Sequence, residues 1–182
     1  LDRVGGGGAS GFVSAAKEAA GQARNEAALD GLRTEATRLF IGTPHAACGP
    51  YEGQWRQTGE AKALLFVNKY ALEVERFCKM CGFTRPAGTN EPLDHVSTEC
   101  ELLELLALRA AGCIEDDDAF APGPDQKKAA SLFGQFAAEH ALAWMREFAA
   151  ALKQTTGAAY YKAAAAYIEA LLSYEHSFVV EP

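Results

Sequence analysis

One short stretch of the chain combines two acids, a proline and a histidine: Glu91-Pro92-Leu93-Asp94-His95. Glu99 follows His95 by four residues, and side chains four apart share one face of a helix. With Asn90 as N-cap, Pro in the first turn and acids at the positive end of the dipole, the stretch predicts a helix start. A backbone restrained in this way also suits a rigid recognition site. Plain capping explains Asn90 and Pro92 but does not require His95, so both interpretations stay open.

A second candidate is the aromatic stretch Gly49-Pro50-Tyr51-Glu52-Gly53-Gln54-Trp55. It lies in a Gly/Pro-rich connection predicted over residues 41–59, and connections of this length in compact domains are often functional. Large aromatic side chains in a loop either anchor it in the core or serve as binding anchors. The sequence leaves both roles open for Tyr51 and Trp55.

Cys78-Lys79-Met80-Cys81 is a C-x-x-C pair. Such a pair is either redox-active or half of a zinc site, and zinc would need two further ligands. No second pair at the usual spacing is found in the sequence, and both cysteines fit the apolar stripe of a helix, where Cys acts as a small hydrophobe. The alternative function that remains is a small metal- or redox-sensing protein using Cys78 and Cys81.

Motifs for other chemistry are missing from the sequence. No His has a Glu three residues before it, as a di-iron bundle requires, and the acidic run 115–118 lacks the Gly and Glu of a calcium loop. No phosphate loop, dinucleotide fingerprint or nucleophile elbow occurs. His140 lies beside Trp144 on an apolar face and is predicted to be a core residue. We therefore expect a protein that is not an enzyme and has no cofactor or metal.

The chain has 182 residues, with 17 Lys+Arg against 24 Asp+Glu, a formal net charge of −7. This acidic balance argues against nucleic acid, whose phosphates require clustered cations. No apolar run approaches the roughly 20 residues of a membrane helix. Five cysteines cannot all pair within the chain, and no signal peptide is recognised. These features predict a cytoplasmic protein.

Apolar periodicity predicts a helical pattern from about Ser14, interrupted at Gly21 and Gly31 and ended by Gly42 and Pro44. Four further helices are predicted: Glu60–Cys81 with Gly82 as a left-handed cap, Asn90 to Gly112, one capped by Asp125, and one after the turn at 155–157. No segment alternates with a period of two. The class is therefore all-α, a single-domain bundle of five or more helices. Residues 1–13 are predicted to be a flexible Gly-rich segment and residues 14–182 the helical domain.

Several segments, in this order along the chain, resemble the TorD/DmsD/NarJ family of cytoplasmic chaperones for exported molybdoenzymes. They are Arg38-Leu39-Phe40-Ile41-Gly42, Pro50-Tyr51-Glu52-Gly53-Gln54-Trp55, Tyr70 with Gly82, Asn90-Glu91-Pro92-Leu93-Asp94-His95 with Glu99, His140-x-x-x-Trp144-x-x-x-Phe148 and Tyr160-Tyr161. The resemblance extends from about residue 30 to residue 172. Its E-P-x-D-H element is fairly specific, and the ordered set is much more so.

The resemblance implies a TorD-like helical fold that binds a partner and catalyses no reaction. The partner would be the twin-arginine signal peptide of a molybdopterin-dependent oxidoreductase, held as apoenzyme until cofactor insertion and export. The charge and the apolar pattern predict no nucleic-acid binding and no stable membrane insertion. The resemblance implies a monomer or a helix-swapped dimer. The expected signal-peptide site is Tyr51, Trp55, Glu91, Pro92, Asp94, His95 and Glu99. Its carboxylates would pair with the arginines, and its rings would line a groove for the apolar part.

Overall fold

A computed structural model describes residues 8–22, 26–42, 45–56, 68–83, 91–114 and 123–180 of the chain. Its helices are α1 Gly8–Gln22, α2 Glu26–Ala36, α3 Glu52–Arg56, α4 Lys69–Met80, α5 Val96–Ala110, α6 Gln126–Phe136, α7 Leu142–Thr155 and α8 Ala159–Val180. Two π-helical turns, Thr37–Ile41 and Ala137–Ala141, directly follow α2 and α6. These described ranges contain no β-strand, and the predicted all-α class is confirmed.

The chain forms two compact units, Leu1–Pro50 with Met145–Pro182, and Tyr51–Trp144. The proposed boundary at residue 13 stays a prediction, because residues 1–7 of that segment lie outside the described ranges, while residues 8–13 belong to α1. Among the helices that the structure describes, none is both long and apolar enough to cross a membrane.

The first unit is held by apolar packing and by one polar cluster. Helix α1 packs along α8, and the largest buried side chains include Leu39, Met145 and Phe148. Glu35 accepts hydrogen bonds from Arg38 at 2.8 and 2.9 Å and from the Thr156 hydroxyl at 2.7 Å. These bonds lower the pKa of Glu35 to about 2. The cluster therefore joins the end of α2 to the residue that follows α7.

The second unit contains the helices around the candidate site. Its core side chains lie on α4, α5 and α6, and Phe77 meets Phe136 edge to face at 5.1 Å between ring centroids. Apolar spacing in the sequence predicts a buried stripe on the helix expected over Glu60–Cys81, and its members are Val67, Tyr70, Ala71, Val74, Phe77, Cys78 and Cys81. Ala71 is half-buried, and the five members from Tyr70 to Cys81 other than Ala71 are buried, as predicted. The first member of the stripe, Val67, lies outside the described residues, as does the predicted start at Glu60. The apolar period therefore identified correctly which face of α4 is buried.

Residue types at the ends of α4 and α5 and at the start of α6 explain where these helices end or begin. Gly82 has φ +69° and Gly112 has φ +66°, the left-handed conformation that glycine adopts without strain after α4 and α5. Asp125 caps α6, and its carboxylate accepts a hydrogen bond from the Lys128 N–H at 2.8 Å. The caps at Gly82 and Asp125 and the end of α5 at Gly112 agree with the sequence prediction.

The predicted starts and breaks in the N-terminal half were partly wrong. Helix α1 begins at Gly8 rather than Ser14, although it ends at Gln22, one residue after Gly21. Helix α2 passes through Gly31 without a break. A glycine inside a helix costs only about 1 kcal/mol, which the other residues of the helix offset. The connection predicted over residues 41–59 also contains helix α3.

The helix predicted from Asn90 begins at Val96, with His95 as its N-cap. Asn90 itself lies outside the described residues. His95 is extended, with φ −82° and ψ 139°, and pairs with Tyr51 in an isolated antiparallel bridge. Because this pairing commits the backbone to an extended conformation, the E-P-x-D-H segment precedes the helix instead of forming its first turn.

We expect Gly31→Ala to raise the free energy of unfolding by about 0.5–1 kcal/mol, because α2 is continuous and an added Cβ would meet nothing within 4 Å. Gly42→Ala is the matched contrast. Gly42 has φ +49°, and its Cβ would lie 2.2 Å from the His45 carbonyl oxygen, so that variant loses more than about 1 kcal/mol. Urea unfolding followed by circular dichroism measures both. A loss of stability in Gly31→Ala would contradict a continuous α2.

Candidate functional site

Asp94 connects three segments of the second unit. Its Oδ2 accepts hydrogen bonds from the Gly53 N–H at 3.0 Å and from the side-chain amide of Asn68. Its main-chain oxygen accepts a third, from the Glu52 N–H at 2.8 Å. The side chain is fully buried. Burial raises the pKa of Asp94, although the hydrogen bonds from Gly53 and Asn68 act in the opposite direction. Asp94 therefore holds the segment before α5 against the start of α3.

Gly53 and Asn68, which both donate to Asp94, also lie close to each other. A Cβ at Gly53 would lie 2.6 Å from the side-chain nitrogen of Asn68, so any larger residue would displace that amide. Asn68 is also the N-cap of α4, where its Oδ1 accepts from the N–H groups of Tyr70 at 3.1 Å and Ala71 at 3.4 Å. One asparagine thus starts α4 and ties that helix to Asp94.

A partly exposed acid and two rings lie next to this connection. The Tyr51 hydroxyl donates to Glu91 Oε1 at 2.9 Å, and the Tyr51 ring meets the His95 ring edge to face at 5.1 Å. Burial and the Glu91 carboxylate raise the pKa of Tyr51 to about 12. Burial lowers the pKa of His95, whose Nδ1 accepts from the Ser97 N–H at 3.1 Å. Glu91 is exposed to solvent, so this surface presents a carboxylate beside two neutral rings.

Glu99 belongs to the interior instead. Its Oε2 accepts a hydrogen bond from the Trp144 indole N–H at 3.0 Å, and the residue has no exposed surface. Burial, together with the carboxylates of Glu52 and Asp94, raises the pKa of Glu99 well above its ordinary value. Its Oε1 has no hydrogen-bond partner in the described part of the chain. The neutral acid is the form that this environment favours.

Glu52, which the sequence analysis did not single out, is also fully buried. One of its oxygens lies 2.8 Å from His140 Nδ1, and the other accepts from the guanidinium of Arg56. Arg56 also donates to the main-chain oxygen of Glu139 at 2.7 Å. His140 stacks on Phe136 with ring centroids 4.8 Å apart. The prediction that His140 is a buried, satisfied core residue is confirmed, with Glu52 as its partner.

The seven predicted site residues differ in exposure. Glu91 and Pro92 are exposed, Tyr51, Trp55 and His95 are half-buried, and Asp94 and Glu99 are buried. The contacts above bring Tyr51, Glu91, Asp94 and His95 together, while Trp55 follows Tyr51 by four residues on α3. The sequence analysis expected the carboxylates of Glu91, Asp94 and Glu99 all to face the peptide. The burial of Asp94 and Glu99 does not match that expectation.

Four further residues of the site were missed by the sequence analysis: Glu52, Gly53, Arg56 and Asn68. The signal for two of them was present, because Glu52 and Arg56 have the i, i+4 spacing of a helical ion pair. Gly53 and Asn68 both contact Asp94, which lies far from them in the sequence, and a local pattern does not reveal those contacts.

Cys78 and Cys81 pack in the interior of the second unit, with 2% and 0% of their surface exposed. Burial raises the pKa of Cys81 to about 11, whereas reactive C-x-x-C thiols have a lowered pKa. The apolar role of both cysteines is confirmed, and this geometry does not favour the redox-sensing alternative. No metal-binding group of three or more His, Cys, Asp or Glu occurs within the described ranges. The acidic run 115–118 falls outside them.

A family model described as the nitrate reductase delta subunit matches residues 8–150. The chain belongs to this family. Its members are NarJ/TorD-type chaperones for the maturation of redox enzymes, and they bind a molybdoenzyme subunit. The match confirms the suspected resemblance and includes every residue of the candidate site. No curated protein and no solved structure shows significant similarity to the chain.

Glu99→Gln tests the buried acid through the pH dependence of stability. Folding raises the pKa of Glu99. As pH rises above about 4.5, Glu99 therefore loses its proton in the unfolded chain before it does so in the folded protein. The wild-type free energy of unfolding then falls by up to about 1.4 kcal/mol per pH unit from this group, until the folded-state pKa is reached. Gln keeps a carbonyl acceptor for Trp144 and has no proton to lose.

We expect urea unfolding between about pH 5 and 8 to give a flatter stability profile for Glu99→Gln than for the wild type. Comparing the slopes of unfolding free energy against pH removes any pH-independent change in stability that the substitution causes. Parallel profiles would show that Glu99 titrates normally in the folded protein.

Proposed function

We propose that this chain is a cytoplasmic chaperone that binds the twin-arginine signal peptide of a molybdopterin-dependent oxidoreductase. It holds the apoenzyme until the cofactor is inserted and export can follow, and it catalyses no reaction itself. Membership in a family of redox-enzyme maturation chaperones supports the general role. The twin-arginine peptide is the specific part of the proposal.

The observation that carries the proposal is the exposed Glu91 carboxylate beside Tyr51 and His95. A carboxylate is the natural partner of a guanidinium, which it can bind through two parallel hydrogen bonds. The neighbouring backbone is fixed by Asp94 and by Pro92, so the acid is presented on a rigid segment. A rigid site loses less entropy on binding.

The other site residues have separate roles in this proposal. Tyr51 and His95 offer ring edges next to Glu91, and Trp55 on α3 supplies further apolar surface for the hydrophobic part of the signal peptide. Asp94 and Glu99 act from the interior as positioning residues. The net charge of −7 favours the approach of a cationic segment at low salt.

Glu91→Gln removes the charge and keeps the size of the side chain. We expect it to weaken the binding of a synthetic twin-arginine signal peptide about tenfold, because a charge-assisted hydrogen bond becomes a neutral one. Glu104→Gln is the matched control, since Glu104 is an exposed acid on α5. Isothermal titration calorimetry measures both affinities. Equal affinities for the two variants would remove Glu91 from the site.

Asp94→Asn and Asp94→Ala separate positioning from direct contact. Asn retains an oxygen for Gly53 and Asn68, so we expect peptide affinity within about twofold of the wild type. Ala leaves both donors without that acceptor and lowers the free energy of unfolding by about 1–3 kcal/mol. Calorimetry with the same peptide and urea unfolding provide the two readouts. A folded Asp94→Asn variant that no longer binds would show that Asp94 itself contacts the peptide.

A further inference from the structure

Three groups of the second unit surround the guanidinium of Arg56. Arg56 Nη1 donates to Glu52 Oε1 and, at 2.7 Å, to the main-chain oxygen of Glu139. Its Cζ lies 4.5 Å from the centre of the Tyr70 ring. We call the Glu52 carboxylate, the Glu139 carbonyl and the Tyr70 ring the guanidinium niche.

The chemistry of the niche is specific to arginine. A carboxylate and a carbonyl oxygen satisfy N–H donors, and an aromatic face binds the flat cation by cation–π attraction. The ammonium of Lys69 also lies near the Tyr70 ring, 4.7 Å from its centre. Lys69 is an exposed residue, however. A compact ammonium cannot reproduce the planar fork of a guanidinium.

The niche also requires a cation. Glu52 has no exposed surface, and a buried carboxylate that loses its charged partner is strongly destabilising. The Arg56 side chain, in contrast, is 28% exposed, so the buried carboxylate is paired with a side chain that reaches solvent. The niche therefore combines a buried anion with a cation at the edge of the unit.

We propose that the niche is a binding site for an arginine side chain of the partner and that Arg56 occupies it as an internal surrogate until the partner arrives. This inference rests on the proposed function, in which the partner carries two consecutive arginines. Tyr51 contacts Glu91, and its chain neighbour Glu52 forms the niche. In this proposal one arginine pairs with Glu91, and the next arginine enters the niche formed by Glu52, which follows Tyr51 in the chain.

Arg56→Ala tests the competition directly. Removing the surrogate empties the niche, so we expect the twin-arginine peptide to bind about tenfold more tightly than to the wild type. Lys69→Ala is the matched control, since it removes one positive charge next to the same ring and leaves the niche filled. Its affinity should change by less than about twofold. A peptide with both arginines replaced by lysine should not show the gain.

Chemical rescue tests the niche without any signal peptide. About 10 mM N-ethylguanidinium should raise the melting temperature of Arg56→Ala by about 3 °C, and ethylammonium should not. The wild type and Lys69→Ala should not respond to either cation. Arg56→Gln, which keeps a longer side chain, repeats both measurements if circular dichroism shows that Arg56→Ala has lost helix.

The results separate the two proposals. If the wild type binds no twin-arginine peptide but ethylguanidinium rescues Arg56→Ala, the niche is real and the proposed function is wrong. If the wild type binds the peptide but neither Arg56 variant binds it more tightly than Lys69→Ala, the surrogate role of Arg56 is overturned. Absence of rescue in both Arg56 variants overturns the niche itself.

Discussion

The arrangement of the second unit depends on the carboxylate of Asp94. One of its oxygens accepts two hydrogen bonds, from the start of α3 and from the residue that caps α4, and its backbone oxygen accepts a third. Breaking this contact would leave buried N–H groups without an acceptor, which is more costly than losing an exposed bond. The exposed Glu91 lies three residues before Asp94, so its position follows from an interaction in the interior of the unit.

The acids around this point have different hydrogen-bond partners because their surroundings differ. Glu52 is paired with Arg56 and His140, and Asp94 accepts from N–H donors. Glu99 accepts a hydrogen bond from the indole of Trp144, and burial together with the neighbouring carboxylates raises its pKa. Several negative charges in one interior would repel each other, so a neutral Glu99 reduces that repulsion. An acid-rich segment can therefore be built mostly into a core while presenting a single carboxylate to solvent.

The E-P-x-D-H segment shows where reasoning from the sequence reached its limit. Its residue types identified the family, and the family model confirmed that resemblance. The same residue types also suggested a helix N-terminus, but the segment precedes the helix, and its last residue, His95, is extended and pairs with Tyr51. Capping rules describe interactions within a few residues, and they cannot anticipate a backbone partner so distant in the chain.

The sequence alone determined the helical class, the buried stripe of α4 and the helix ends at Gly82, Gly112 and Asp125. Periodicity and capping depend on neighbours within one or two turns, and the sequence displays those neighbours directly. The tertiary structure alone decided which acids are buried, which one is exposed, and that Arg56 covers Glu52. Burial and the choice of partner are set when segments far apart in the chain pack together. A sequence without its fold does not show which of those segments will meet.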